Sequence, residues 1–489
     1  MATKEQQVKN SIIYFIPMVI GSLLPIITLS VFTRLLTKED FGVLALAQVY
    51  AIFVSGLANF GLTTSYERNF FQYRDQKQAA ELLYSTLIFV VSAFLILAFL
   101  TYIFKSPISK LVIGTEQQGT LLFWAFCSVG FASLKTYYLT YFKNTENAKS
   151  FTTYTIYESL INIFLSLFMV VYLRVGVIGL VWGQLFAAVA IFSVLSFKFS
   201  RRLPFSFNRL ILLDSLKLSY PLTPRIFLGV IGNQFDKYMI GLLASVAGVG
   251  IYSIGQRVSY AVFSYMTAIQ NVYAPQVYKR MFEKGGKGGE SIGRYLTPFA
   301  YISIAVALMI SLFSEEIISV LTPQSFHGAI DIVIILSMFY GSMFFGKQPQ
   351  LIFTKKTHIT LFLTIVSIGL NIALNIPFIM KWGAVGAAWA TLLAGLISGA
   401  ISFIISQKYY EIKWEYKRII LIFLVFFISA LLVVYLRNIH ADYYIRMIVK
   451  AASIVFYVYI GIRIDVITTD NFSLIKDIIT RGKSKEAAA

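Results

Sequence analysis

The sequence predicts an all-α polytopic membrane protein of about 14 transmembrane helices, arranged as two six-helix lobes related by a pseudo-twofold along the membrane normal, plus two extra C-terminal helices. Three observations carry this. First, 57% of the 489 residues are hydrophobic and only 13% are charged, with a mean hydropathy of +0.73. A soluble domain sits nearer half apolar and a quarter charged. Second, apolar stretches of about 20 residues recur along the chain, the length that crosses a bilayer as a helix. They are continuous and too long for the alternating strands of a membrane barrel. Third, the sequence repeats itself weakly at half its length.

In chain order the candidate spans are 12–33, 41–65, 82–104, 120–142, 152–173, 177–197, 218–244, 249–274, 295–320, 329–353, 359–380, 385–406, 419–436 and 447–462. The start, Met1 to Ser11, is polar, and the apolar run after it lacks a small-residue cleavage site, so it reads as an uncleaved first span. With the N-terminus inside, most of the 42 Lys and Arg fall in cytoplasmic segments. That bias places both termini in the cytoplasm. The net charge of +19 is then mainly a topology signal. Arg201, Arg202 and the 275–294 loop are expected to rest against anionic lipid headgroups, and no nucleic-acid partner is implied. The longest outside loop, 105–119, leaves no room for an extracytoplasmic domain.

The repeat supplies the internal architecture. Gly176, Gly179 and Trp182 fall on Gly383, Gly386 and Trp389, and Gly42 and Gln48 fall on Gly250 and Gln256 at nearly the same offset. Six helices per repeat is an even number, so both halves keep one orientation and their axis runs along the membrane normal. The expected division is an N-lobe over 1–200, a C-lobe over 201–410, two added helices over 411–465 and a cytoplasmic tail over 466–489. Such lobes enclose a central cavity. Pro17 and Pro25 in the first span, and Pro221 and Pro224 in the seventh, occupy the first helix of each lobe, where a lost backbone bond would bend a gating helix.

Several chemistries are excluded. Cys127 is the sole cysteine, so no intrachain disulfide forms. His327, His358 and His440 have no metal-site spacing. The run Gly285-Gly286-Lys287-Gly288-Gly289 lacks the Gly-Lys-Ser/Thr of a phosphate loop and reads as a flexible connection. With no ATPase domain and no cofactor motif, the energy source is expected to be a gradient, such as proton or sodium coupling, or an outside partner.

Six bases lie inside spans: Lys135, Arg225, Lys237, Arg257, Lys347 and Lys450. Each costs about 2.5–3.5 kcal/mol to insert at mid-membrane. Glu158 and Asp236 are the comparably deep acids. More bases than acids suggests a cavity built for an anion. Lys450 is near the start of its helix and is expected to snorkel outward, and Lys347 near the inner end of its span could do the same. Arg225, Gly229, Gly232 and Asp236 share one face of the seventh span. Ser253, Arg257, Ala261, Ser264 and Ala268 share a face of the eighth. Small and polar residues around a deep charge mean close helix packing or a wet cavity. An ion pair of Asp236 with Arg257 is one structural alternative. Glu158, with Thr155 and Asn162 on the same face, either neutralises Lys135 or binds a coupling cation.

Three stretches resemble the polysaccharide-biosynthesis flippases of the Wzx type. These are "FDKYMIGLLASVAGVGIYSIGQRV" at 235–258, "FTKKTHITLFLTIVSIGLNIALNIPFIMKWGAVGAAWATLL" at 353–393 and "TRLLTKEDFGVLALA" at 33–47, the last with Thr37 where that family usually has Gly. The likeness spans most of residues 11–410. It implies the fold of the multidrug/oligosaccharidyl-lipid/polysaccharide exporter superfamily and a place in the bacterial cytoplasmic membrane. It implies an undecaprenyl-pyrophosphate-linked oligosaccharide as substrate, moved by alternating access through a cationic lumen. Other polysaccharide-assembly membrane proteins are the implied partners. Asp236 and Lys237 carry over by motif; Lys135, Arg225, Arg257 and Lys347 are placed by depth and face alone. Two other functions compete. A cation-coupled multidrug antiporter of the same fold needs deep acids, and here bases dominate. A polytopic glycan polymerase or ligase needs a sizeable outside loop with catalytic bases, and the outside loops are short.

Overall fold

The computed structural model describes residues 24–73, 75–345 and 349–466, apart from the side chains at 222, 225, 226, 287 and 357. Among the described residues every regular element is helical. In order they are α1 (Leu24–Leu35), α2 (Lys38–Asn59), α3 (Leu62–Asn69), α4 (Gln76–Ile103), α5 (Lys105–Ile113) and α6 (Gly119–Asn144). Next come α7 (Ala148–Leu167), α8 (Ile178–Ser200), α9 (Arg209–Ser219), α10 (Thr223–Leu243), α11 (Val246–Lys284) and α12 (Gly288–Leu312). The chain finishes with α13 (Ser314–Leu321), α14 (Ala329–Ser342), α15 (Pro349–Phe353), α16 (Thr357–Tyr409), α17 (Tyr416–Asn438) and α18 (Tyr443–Arg463). Nine described helices are long and apolar enough to cross a membrane. Three of the helices that carry deep charges, α6 with Lys135, α10 with Asp236 and Lys237, and α11 with Arg257, are not among the nine, because charged and polar residues dilute their apolar runs.

The 52-residue apolar stretch His358–Tyr409 is two spans folded back on each other. Gly383 breaks it at φ 56°, a left-handed value that glycine adopts without a Cβ penalty. The two arms then run antiparallel: a Cβ on Gly386 would stand 1.9 Å from the Phe378 carbonyl oxygen, and Asn371 and Thr391 are joined at 3.3 Å, Ser367 and Ser398 at 3.1 Å. The repeat-equivalent Gly176 also has positive φ, 72°, at the start of α8. The glycines matched by sequence thus serve the same turn in both halves.

The described residues pack as two compact units. The first comprises those within Met1–Ile254, Ile318–Gly328 and Ile372–Ala387. Its α2 begins with a capping box, in which Thr37 and Asp40 each bond the other's backbone N–H, at 3.1 and 2.9 Å. The N-terminal turns of α2 and α11 cross at the closest approach backbones allow. A Cβ on Gly42 would lie 1.9 Å from the Val246 carbonyl oxygen, and a Cβ on Gly250 would lie 1.9 Å from that of Lys38. The contact is reciprocal, residue for residue, as a pseudo-twofold requires. It also explains why α10 and the start of α11 pack with the first six spans: packing units and repeat-based lobes are different divisions of the same chain. The prolines at the seventh span differ from expectation. Pro221 lies in the 3-10 turn Tyr220–Leu222 and Pro224 is the second residue of α10. Both occupy a helix start, where the missing N–H costs little, so neither bends a mid-membrane helix. Pro17 lies outside the described residues.

The second unit comprises the described residues within Gly255–Ile317, Ala329–Asn371 and Ala388–Ala489. Tyr301 of α12 and Tyr457 of α18 stack at 4.7 Å, and each hydroxyl donates to the other's backbone carbonyl, at 3.1 and 2.7 Å. The glycine run at 285–289 is no open loop. Gly285–Lys287 forms a 3-10 turn and α12 starts at Gly288. Gly289 and Gly293 lack the Cβ that would collide with the backbone oxygens of Glu411 and Lys413, so the segment before α17 lies directly on α12. Beyond Val466, the expected cytoplasmic tail lies outside the described residues.

Candidate functional site

In the first unit α6 and α7 bring Lys135 and Glu158 together as an ion pair. Lys135 is buried, and Glu158 is mostly enclosed. Neutralisation of this lysine, one of the alternatives left open by the sequence, is therefore what the geometry provides. A paired lysine holds its charge inside the bundle at lower cost than a bare one, since removing either partner strands the other.

Asp236 is buried on α10. Its Oδ2 accepts from the Tyr252 hydroxyl at 2.9 Å, and its Oδ1 accepts from the Asn375 side-chain amide at 2.8 Å. Three helices thus meet on one carboxylate: α10, the start of α11 and the first arm of α16. Lys237, the next residue, is half-buried and donates to Gln234 at 3.1 Å. Tyr252 and Asn375 were not among the residues singled out as a site. Tyr252 is the tyrosine of the Gly-Ile-Tyr-Ser stretch at 250–253, and Asn375 belongs to the Asn-rich span, so the motifs carried the signal although spacing alone did not.

Arg257 lies in the second unit, on α11. Its side chain is exposed, and Ser253, Ala261, Ser264 and Ala268 of the same face are half-open. The opposite face, Val258, Val262 and Met266, is buried. Arg225 sits at the third position of α10, with its side chain outside the described residues. Lys347 lies outside the described residues altogether.

Lys450 corrects a sequence expectation. It does not snorkel: it is 0% exposed and bonds Glu316 at 2.6 Å and Glu315 at 3.2 Å. Arg446 pairs with Glu315 at 2.9 Å, and Arg437 with Asp331 at 3.0 Å. The break at Phe313 starts α13 with Glu315 and Glu316 in its first turn, facing α18. Three bases of α17 and α18 thus meet three acids of α13 and α14, which ties the two C-terminal helices to the rest of the second unit.

The described helices take a fold that solved structures share. The lipid II flippase MurJ in an inward closed conformation superposes with a TM-score of 0.71 over 94% of this chain and 100% of that one, at 17% identity. A multidrug resistance MATE family transporter in an inward-facing conformation superposes with a TM-score of 0.57 over 81% of this chain and 97% of that one, also at 17% identity. The Vibrio cholerae MATE transporter VcmN gives 0.55 over 83% of this chain and 98% of its own, at 15% identity. More specifically, the chain belongs to the polysaccharide biosynthesis protein family, whose model matches residues 31–331. A curated relative, the probable low-salt glycan biosynthesis flippase Agl15 of Haloferax volcanii, is 26% identical over 198 residues. That match spans 39% of this chain and 42% of the relative's length.

Proposed function

We propose that this protein moves a lipid-linked oligosaccharide, an undecaprenyl-pyrophosphate-linked repeat unit, from the inner to the outer leaflet of a bacterial cytoplasmic membrane by alternating access, for assembly of a surface polysaccharide such as O-antigen or capsule. Both termini lie in the cytoplasm in this reading, and no covalent bond of the substrate is made or broken. The observation that carries it is Arg257, an exposed guanidinium within the long helix α11 on a face of small, half-open residues. An arginine at membrane depth is costly unless water or an anion meets it, and a pyrophosphate is an anion that cannot cross hydrocarbon bare. The name of the Haloferax volcanii relative, a glycan biosynthesis flippase, supports the same substrate class.

In this mechanism Arg225 and Lys135 receive the pyrophosphate from the inner side, Lys237 and Lys347 add positive potential, and Arg257 takes over as the lobes rock outward. The glycan travels in the wet interior while the isoprenoid tail stays in lipid. Release requires weak holding. Glu158, already on Lys135, competes with the phosphate for that lysine. Asp236, held by hydrogen bonds from Tyr252 and Asn375, is the proposed modulating carboxylate, competing with the phosphate and loosening it during the outward step. A multidrug antiporter would instead need acids exposed to a cationic substrate; both deep acids here are occupied by protein partners.

Complementation of glycan export tests the proposal. Arg225→Ala and Arg257→Ala are expected to abolish export at normal membrane level, with partial rescue by Lys, which keeps charge but loses fork geometry. Full export by both well-expressed Ala variants would overturn the cationic relay.

A further inference from the structure

The segment between α8 and α10 carries much of its apolar bulk on its outward side. On α9 Ile211, Ser215 and Ser219 are buried, and Asp214 is half-buried. Asp214 accepts from the Tyr73 hydroxyl at 3.1 Å, and the Asn69 amide donates to Ser215 at 3.1 Å. The segment is fastened further by Asn208, which caps α9 and donates to Glu81 at 2.9 Å. The outward side carries the apolar bulk. Leu210 is 77% exposed and Phe205 71%, with Phe207, Leu213 and Tyr220 exposed beside them. Arg201, Arg202, Arg209 and Lys217 are exposed too, and Asp214 is the one acid in 201–220.

A helix bathed in water shows the reverse pattern, with its apolar stripe inward and its polar face outward. Apolar side chains pointing out among bases and no outward acid match a helix lying in a membrane interface, where rings and leucines enter the acyl boundary and bases meet phosphates. We propose that the outward side of residues 201–220 is a docking surface for anionic phospholipid headgroups, with Phe205 and Leu210 seated in the interface and Arg201, Arg202, Arg209 and Lys217 on the lipid phosphates. This surface is separate from the deep charges, and it stands or falls independently of the substrate proposed above. Because it joins α8 to α10, a lipid-anchored 201–220 fixes the membrane depth of that connection.

The test uses the full chain in nanodiscs. A Leu210→Cys probe in a Cys127→Ser background carries an environment-sensitive fluorophore, in phosphatidylcholine alone or mixed with phosphatidylglycerol, with brominated acyl chains as quencher. The expected result is lipid quenching and a blue shift that strengthen with phosphatidylglycerol. Combining Arg201→Gln, Arg202→Gln, Arg209→Gln and Lys217→Gln should abolish the phosphatidylglycerol-dependent part, and the four Lys-for-Arg or Arg-for-Lys exchanges should keep it. A probe at Phe99, exposed on α4, reports folding and should be quenched in every variant. A Leu210 probe open to aqueous acrylamide and untouched by brominated lipid would overturn the proposal and leave the face to a soluble protein. Equal signals with and without phosphatidylglycerol would overturn it as well.

Discussion

Replacing Gly42 or Gly250 with alanine should separate the ends of α2 and α11. Each new Cβ would lie 1.9 Å from a backbone carbonyl oxygen, where real contacts stay beyond 3.0 Å. The two helix ends must therefore part by about 1 Å, since backbone cannot rotate away as a side chain can. Overpacking of this kind costs about 1–3 kcal/mol. The sign is diagnostic, because Gly to Ala inside an unobstructed helix stabilises by about 0.5–1 kcal/mol. Both substitutions push against one crossing, so the separation that relieves the first also relieves the second, and the double variant should cost much less than the sum. If the crossing closes one side of the transporter, a shift of 1–3 kcal/mol toward the separated state changes its population by about five- to 150-fold. The assays are thermal unfolding in detergent and labelling of a cysteine at Lys38, which should become more reactive. Single variants with raised melting temperature and unchanged labelling would refute the crossing.

Two further predictions follow from charge and topology. Lys450→Ala should destabilise the protein by about 3–5 kcal/mol, because it strands Glu316 against α18 while Glu315 keeps Arg446; thermal unfolding decides, and a near-neutral effect would restore the snorkelling view. Cysteine at Ser106 or Ala441 should react with an impermeant thiol reagent from outside, while cysteine at Ser206 or Ser291 should not; outside labelling at Ser206 would reverse the orientation.

What the sequence made legible was what local periodicity and repetition encode. The helices follow from apolar runs, and the two spans read at 359–380 and 385–406 are the two arms of the hairpin within His358–Tyr409. The repeat matched Gly42 to Gly250, but only coordinates reveal that the two glycines touch. Partners far apart in sequence were hidden. Asn375 is 139 residues from Asp236, and Lys450 is 134 residues from Glu316. No spacing rule reaches so far, which is why Lys450 read as a snorkelling side chain. The outward apolar side of α9 was hidden for a related reason: apolar residues run all round Leu210–Leu218, and which of them face inward depends on the position of α3.

The most direct measurement of the central claim is translocation in proteoliposomes. A labelled undecaprenyl-pyrophosphate oligosaccharide is placed in one leaflet, and its arrival in the other is followed with a reagent that reaches only the outer surface. The account predicts transfer by the native chain, loss of transfer in Arg257→Ala at equal reconstitution, and no transfer of the same glycan on a neutral polyprenol. Unchanged transfer by Arg257→Ala, or equal transfer of the neutral lipid, would contradict it.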